Sequence, residues 1–174
     1  MRRVFLIAAL MMSALLLTVG RTSAAGAPEY LNDGVLILSG MHQGTAWYID
    51  KSSVRLEDED DPIYIITFQL FAARYDIDTG EVTRVFDATP QKYKYDVENG
   101  MMFAFNYNRD YSQWEYIKPV GPTYELTLDH SGEMAWYIIY GQPFYGGRQW
   151  EDSKGQLRWP DFGEELYQRI DNSY

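Results

Sequence analysis

Across residues 62–76 the chain reads PIYIITFQLFAARYD, with apolar side chains on both parities. Period two places Tyr64, Ile66, Phe68, Leu70 and Ala72 on one side, and Ile63, Ile65, Thr67, Gln69, Phe71 and Ala73 on the other. Strict alternation marks a half-buried strand and a continuous apolar run a fully buried one. This stretch mixes the two, as a central strand does. A helical stripe through Ile63, Ile66, Leu70 and Phe71 competes, but the β-branched and aromatic content and the leading Pro62 favour strand. Residues 62–76 are expected to form the long strand on which neighbouring hairpins pair.

Shorter patterns flank it. Val35-Leu36-Ile37-Leu38 reads as a strand ended by Ser39-Gly40, and residues 45–50 (TAWYID) as a second. Glu57-Asp58-Glu59-Asp60-Asp61 are consecutive acids that repel one another and resist burial, which predicts a solvated loop. Asp78-Thr79-Gly80 has turn chemistry, with residues 81–87 (EVTRVFD) returning as a strand. Thr89-Pro90 breaks that strand. A hairpin follows, in which Tyr93, Tyr95 and Val97 alternate with lysines and Asp96, and Met101, Phe103 and Phe105 alternate with Met102, Ala104 and Asn106. A three-residue loop, Glu98-Asn99-Gly100, would pair Tyr95 with Phe103 and gather the large apolar groups on one face; a two-residue loop would pair Tyr95 with Ala104. The three-residue register is the expected one.

Residues 113–118 (QWEYIK) read as a strand and Tyr124 to Leu128 as a further short one. Residues 133–140 (EMAWYIIY) have strand content but helix punctuation, Ser131-Gly132 before and Gly141-Gln142-Pro143 after, and are taken as helix. Residues 160–170 (PDFGEELYQRI) form an amphipathic terminal helix with Phe162, Leu166 and Ile170 on one side. The sum is an α+β, β-dominated fold: an antiparallel sheet of five to seven strands with one or two short helices.

The N-terminus changes the picture of where this fold works. Arg2 and Arg3 precede an apolar run from Val4 to Val19 and then the small residues Thr22-Ser23-Ala24-Ala25. That order is a secretory signal peptide over residues 1–25, cleaved after Ala24 or Ala25, with an uncleaved membrane anchor as the competing reading. Residues 26–174 are then one β-rich extracytoplasmic domain, secreted, periplasmic or at the cell surface. There is no cysteine, so no disulfide supports it and no lipid is attached through an N-terminal Cys. The formal net charge is −10, and loss of residues 1–25 removes three arginines and no acid. Such acidity disfavours nucleic acid and anionic membranes as partners, and no membrane insertion is expected after cleavage.

Candidate chemistry is sparse. Asp76-Ile77-Asp78-Thr79-Gly80 begins like a calcium loop, but Glu81 stands where such a loop needs glycine and Asp87 where it needs glutamate. His42 and His130 have no second imidazole or thiolate nearby in sequence, so no metal or other cofactor is expected. No nucleophile elbow is present, and nothing selects a carboxylate pair for glycoside hydrolysis. Two aromatic groups remain: Tyr107, Tyr111, Trp114 and Tyr116, and Trp136, Tyr140, Phe144, Tyr145 and Trp150. Trp114 and Trp136 are expected in the core. Glycine-flanked Tyr145, Arg148 and Trp150 are the candidate binding residues, since aromatics and arginine dominate interface energetics and two adjacent glycines free the loop that carries them.

The order of signal peptide, Trp47-Tyr48-Ile49-Asp50, Lys51-Ser52-Ser53-Val54 and then β-hairpins resembles the surface-adhesin protein E type of small bacterial domain, over residues 35–118. In that family a strand ending in an aromatic-x-x-Asp step leads into an antiparallel sheet with a helix. The resemblance implies attachment to host or matrix proteins and transfers no functional residue. Members are often lipid-anchored and cysteine-bearing, and this chain departs from them in having no Cys. The expected function is a non-catalytic exported binding protein, adhesin-like, with a protein partner. A carbohydrate-binding or glycan-hydrolysing domain and a periplasmic envelope-assembly protein stay open beside it.

Overall fold

The computed structural model describes residues 26–106, 113–119, 126–145, 149–151, 154–160 and 162–173, with backbone alone at 126–129. The expected signal peptide and Arg148 lie outside the described residues. Among the described residues nine strands, where five to seven were expected, form one antiparallel sheet: β1 (Tyr30–Leu31), β2 (Leu36–His42), β3 (Thr45–Asp50), β4 (Arg55–Asp60), β5 (Ile63–Tyr75), β6 (Val82–Val85), β7 (Thr89–Asp96), β8 (Met101–Asn106) and β9 (Gln113–Ile117). Helix α1 (Leu126–Tyr140) crosses one face, a two-stranded arm of β10 (Trp150–Glu151) and β11 (Leu157–Arg158) follows, and α2 (Glu164–Asp171) closes the described chain. The expected β-dominated antiparallel architecture is what the chain adopts.

Strand β5 is the axis. Its first half pairs with β4 on one edge and its second half with β3. On the other edge β7 and then β6 do the same. The chain is therefore a meander in which β3–β4 and β6–β7 act as two long, interrupted strands. The step from β3 to β4 is a 3-10 turn, Lys51–Ser53, capped by Asp50, whose carboxylate accepts from the Ser52 amide at 2.9 Å. The Ser53 hydroxyl accepts the Gln69 amide at 2.8 Å, covering a ladder position that the turn leaves open.

The mixed pattern of β5 has a physical cause. Ile66, Phe68 and Leu70 are buried beneath α1, together with Ile37, Ile49, Tyr93, Tyr95 and Met102, and Trp136 of α1 packs among them. Ala73 and the half-buried Phe71 and Tyr75 point to the opposite face, where Leu36, Leu38, Ala46, Tyr48 and Ala27 make a second, smaller core. One strand thus serves two cores at its two ends. The segment before β1 ties down the second core: the Tyr48 hydroxyl donates to the Pro28 carbonyl at 2.9 Å, and the Leu38 amide to that of Glu29 at 2.8 Å.

Several expectations are corrected. The acidic run is strand β4, not a loop. Its acids are exposed, and because β4 is an outer strand it can pair with β5 while its charges stay in water. The hairpin pairs Tyr95 with Met102, Tyr93 with Ala104 and Asp96 with Met101, so the loop is residues 97–100 and the three-residue register is wrong. Asp96 sets that length, its carboxylate accepting from the Asn99 amide at 3.0 Å and side chain at 2.8 Å. Tyrosines on the core face then stand beside the narrow Ala104 and the adaptable Met102, where Phe103 and Phe105 would overfill the space under α1.

Residues 133–140 are helical as expected, but the helix starts at Leu126, so no strand lies at 126–128. Ser131-Gly132 is not its start. Gly132 lies within the helix, where an added Cβ would sit 2.8 Å from the Tyr93 ring, and the missing side chain lets helix and sheet meet. Helix α2 buries Leu166 and Ile170 against α1 with Phe162 alongside, as the sequence predicts. Asp76, Thr79 and Gly80 make the β5–β6 turn: the Asp76 carboxylate accepts the Asp78 and Thr79 amides at 2.9 Å each, and Gly80 takes φ 75°.

Candidate functional site, an open aromatic face of the sheet

The register of β7, β8 and β9 builds the most distinctive surface. Because Tyr93, Tyr95, Met102, Ala104 and Ile117 face α1, the intervening residues must face the other way. Lys94 lies opposite Phe103 and Phe103 opposite Tyr116, and in the next row Phe105 lies opposite Trp114. Phe103, Phe105, Trp114 and Tyr116 pack into neither core, nor do Ile63 and Ile65 on the adjoining stretch of β5. Tyr116 is 37% exposed and the other three rings are half-buried.

The four rings support one another. Phe103 and Tyr116 have centroids 5.6 Å apart at 54°, and Phe105 and Trp114 5.1 Å apart at 72°. The Lys94 ammonium lies 4.4 Å from the Phe103 centroid and 5.3 Å from that of Trp114. A cation over aromatic faces holds a charge on an otherwise apolar surface. Lys92, on the same face, pairs with Glu57 of β4 at 2.5 Å. The face is apolar in the middle, carries positive charge along β7, and tilts its rings into a corrugated surface.

Of the candidate residues chosen from sequence, Tyr145 and Trp150 fall elsewhere, and Arg148 lies outside the described residues. Tyr145 is fully buried. Its hydroxyl accepts the Met102 amide at 2.8 Å and donates to the Ile117 carbonyl at 2.7 Å, so it bridges the β8–β9 ladder. It cannot touch a partner, and its expected exposure is corrected. Trp150 is half-buried and folds back on Tyr145, indole nitrogen to the Tyr145 carbonyl at 3.4 Å. On the arm that follows, Leu157 and Trp159 are the exposed apolar residues, at 65% and 59%. Trp136 is in the core as expected; Trp114 is not, and belongs to the open face. The three-residue register would put Phe103 and Phe105 on the core face, which the observed pairing excludes. The signal that would have found them is Asp96, a side chain suited to closing a four-residue loop.

Several buried polar groups are bound within the fold. Glu133, fully buried on α1, accepts the Phe144 amide and the Tyr167 hydroxyl on Oε1, each at 2.8 Å, and the Tyr145 amide on Oε2 at 3.0 Å. It fixes the chain leaving α1 and docks α2. Ser131 donates to Ser39 Oγ at 3.1 Å, and Ser39 to the Trp47 carbonyl at 3.1 Å. His130 Nδ1 lies 2.9 Å from the Ser39 carbonyl oxygen, an acceptor, so that nitrogen carries the proton. Both serines are fully buried. Serine and histidine are adjacent here, yet no hydroxyl is presented to a substrate. A cleft of about 350 Å³ opens between Tyr30, Asp33, Gly34, Asn172 and Ser173. Nearby Lys51 donates to the Ile170 and Ser173 carbonyls and to Ser173 Oγ, which uses its three protons.

No family model, no curated protein and no solved structure matches the chain.

Proposed function

We propose that this chain is a non-catalytic exported binding protein, adhesin-like in mode, whose contact surface is the open face of β7–β9. One observation carries this reading: Phe103, Phe105, Trp114 and Tyr116 cluster on a sheet face outside both cores. Contiguous apolar surface of that kind is costly to leave in water, and aromatic residues are the commonest anchors of protein interfaces. Export rests on the signal-peptide pattern of residues 1–25, and the adhesin-like mode on the resemblance over residues 35–118.

A protein partner suits the face better than a glycan. A sugar ring stacks best on a flat aromatic plane, whereas rings meeting at 54° and 72° leave clefts that accept side-chain knobs. The test is affinity capture by the purified protein from envelope extract and from matrix proteins, beside a glycan array. The double variant Trp114→Ala/Tyr116→Ala is expected to lose capture, each truncated anchor costing about 2 kcal/mol, roughly 30-fold in affinity. Trp159→Ala, on the arm, serves as the exposed-aromatic control and retains it. Glycan binding lost in Trp114→Ala would move the reading to the carbohydrate class, and capture unchanged in the double variant at unchanged stability would end it.

A further inference from the structure

The cleft of about 350 Å³ stands at the β1 end of the sheet, the far end in strand order from β9 and the open aromatic face. It is lined by Tyr30, Asp33 and Gly34, from β1 and the turn that follows, and by Asn172 and Ser173 beyond α2. That volume lies at the small end of the range for ligand pockets. Both parts of its lining are held in place. Asn32, Asp33 and Gly34 take φ of 51°, 54° and 89°, a left-handed run that Asn, Asp and Gly tolerate best. The turn is closed by the Gly34 amide on the Leu31 carbonyl and the Val35 amide on that of Asn32, each at 3.2 Å. Beyond α2, the Asn172 amide donates to the Gln168 carbonyl at 2.9 Å, and the Lys51 ammonium holds Ser173 by its hydroxyl and carbonyl. Tyr30 is fixed too: its ring packs against the larger core and its hydroxyl donates to the Arg169 carbonyl at 3.1 Å.

What remains unpaired decides the ligand. The Tyr30 and Ser173 hydroxyls already donate to carbonyls. Among the described residues the Asp33 carboxylate and the Asn172 side-chain amide, both exposed, have no hydrogen-bond partner. A carboxylate accepts from two hydroxyls, and an amide both accepts and donates. Here they stand beside the carbons of an aromatic ring. An apolar ligand would strip water from both groups and return no hydrogen bond. An anion would meet Asp33 on a chain of net charge −10. A cation would meet the Lys51 ammonium bound at Ser173. A neutral ring with hydroxyls on its rim and an apolar C–H flank avoids all three costs. We propose that this cleft binds a neutral sugar, either free or as the last residue of a glycan, with its C–H flank on Tyr30 and its hydroxyls on Asp33 and Asn172. The site is separate from the β7–β9 face and does not depend on that face binding a protein.

The probes are the methyl glycosides of glucose, galactose, mannose and N-acetylglucosamine, each titrated into the purified protein while its amide resonances are followed by NMR. At least one is expected to bind at about 1 mM or tighter and to shift the Gly34 and Asn172 amides. Asp33→Gly keeps the positive φ of the turn and removes the carboxylate, and Asn172→Ala removes the amide from an exposed position. Each is expected to weaken binding at least about tenfold with the urea midpoint little changed. Cyclohexanol and glucuronate, the apolar and anionic controls, are expected to bind at least about tenfold more weakly than the glycoside. Trp114→Ala/Tyr116→Ala is expected to bind it undiminished. The proposal is overturned if no glycoside shifts those two amides at about 50 mM, if binding is unchanged in both Asp33→Gly and Asn172→Ala, or if either control binds as well. Loss of binding in Trp114→Ala/Tyr116→Ala overturns it too, because the sugar would then sit on the open face.

Discussion

Gly132 shows how one missing side chain positions a helix. A Cβ there would lie 2.8 Å from two carbons of the Tyr93 ring, and the Tyr95 hydroxyl donates to the Gly132 carbonyl at 2.8 Å, so helix and sheet touch at backbone distance. Alanine is the better helix former by about 1 kcal/mol, yet overpacking a filled core costs about 1–3 kcal/mol. Gly132→Ala is therefore expected to destabilise, seen as a lower urea midpoint; a higher midpoint would show that the contact can relax. Glu133→Ala strands two amides and a hydroxyl in the core and is expected to cost about 3 kcal/mol or more, with Glu133→Gln intermediate because its amide meets one of those donors. Burial pushes the Tyr48 hydroxyl from its ordinary 10.0 up to about 12, and burial raises Tyr95 and Tyr167 as well. Since the folded protein holds these protons above the pH at which the unfolded chain releases them, their contribution is intact below about pH 10 and is lost as pH rises toward 12. Urea midpoints measured across that range should fall, and less steeply in Tyr48→Phe. At this scale the sequence was legible for Trp136, Leu166 and Ile170, whose burial follows from residue type and period. It was not legible for Tyr145, because a tyrosine beside glycines looks like a loop residue until its two ladder partners are seen.

At the scale of elements, position in the sheet decided what the pattern left open. Residues 62–76 were read correctly as the central strand because length, β-branching and two-sided apolarity agreed. The acidic run was misread because repulsion says only that its charges face water, and an outer strand satisfies that as well as a loop does. The hairpin was misread for a different reason. Gathering all large apolar residues on one face assumes one core per strand pair, whereas here the second face keeps four aromatic rings of its own. Helix α2 offers a test of how elements are held: Lys51 reaches its C-terminal end and bonds the Ile170 and Ser173 carbonyls at 3.3 and 3.2 Å, where a cation also complements the helix dipole. Lys51→Met is expected to cost about 1 kcal/mol and to speed amide exchange in Glu164–Asp171 while β5 keeps its protection. Equal acceleration in both would mean that α2 and the sheet open together.

Across the whole molecule the two faces of the sheet are used unequally. Among the described residues, one is covered by α1 and α2, and the other by the residues before β1 at the β2–β3 end. Among the described residues, the meander carries β8 and β9 away from that second cover, and Phe103, Phe105, Trp114 and Tyr116 stay outside both cores. Composition showed that aromatics were abundant; only the register shows which of them remain outside. Trp114 and Tyr116 are proposed as contact residues and not packing. The most direct measurement is the affinity of a captured partner for the Trp114→Ala/Tyr116→Ala protein, taken with its urea midpoint. The expected result is affinity lowered by roughly 30-fold or more with the midpoint little changed. Unchanged affinity, or a loss of binding that merely follows unfolding, would contradict it.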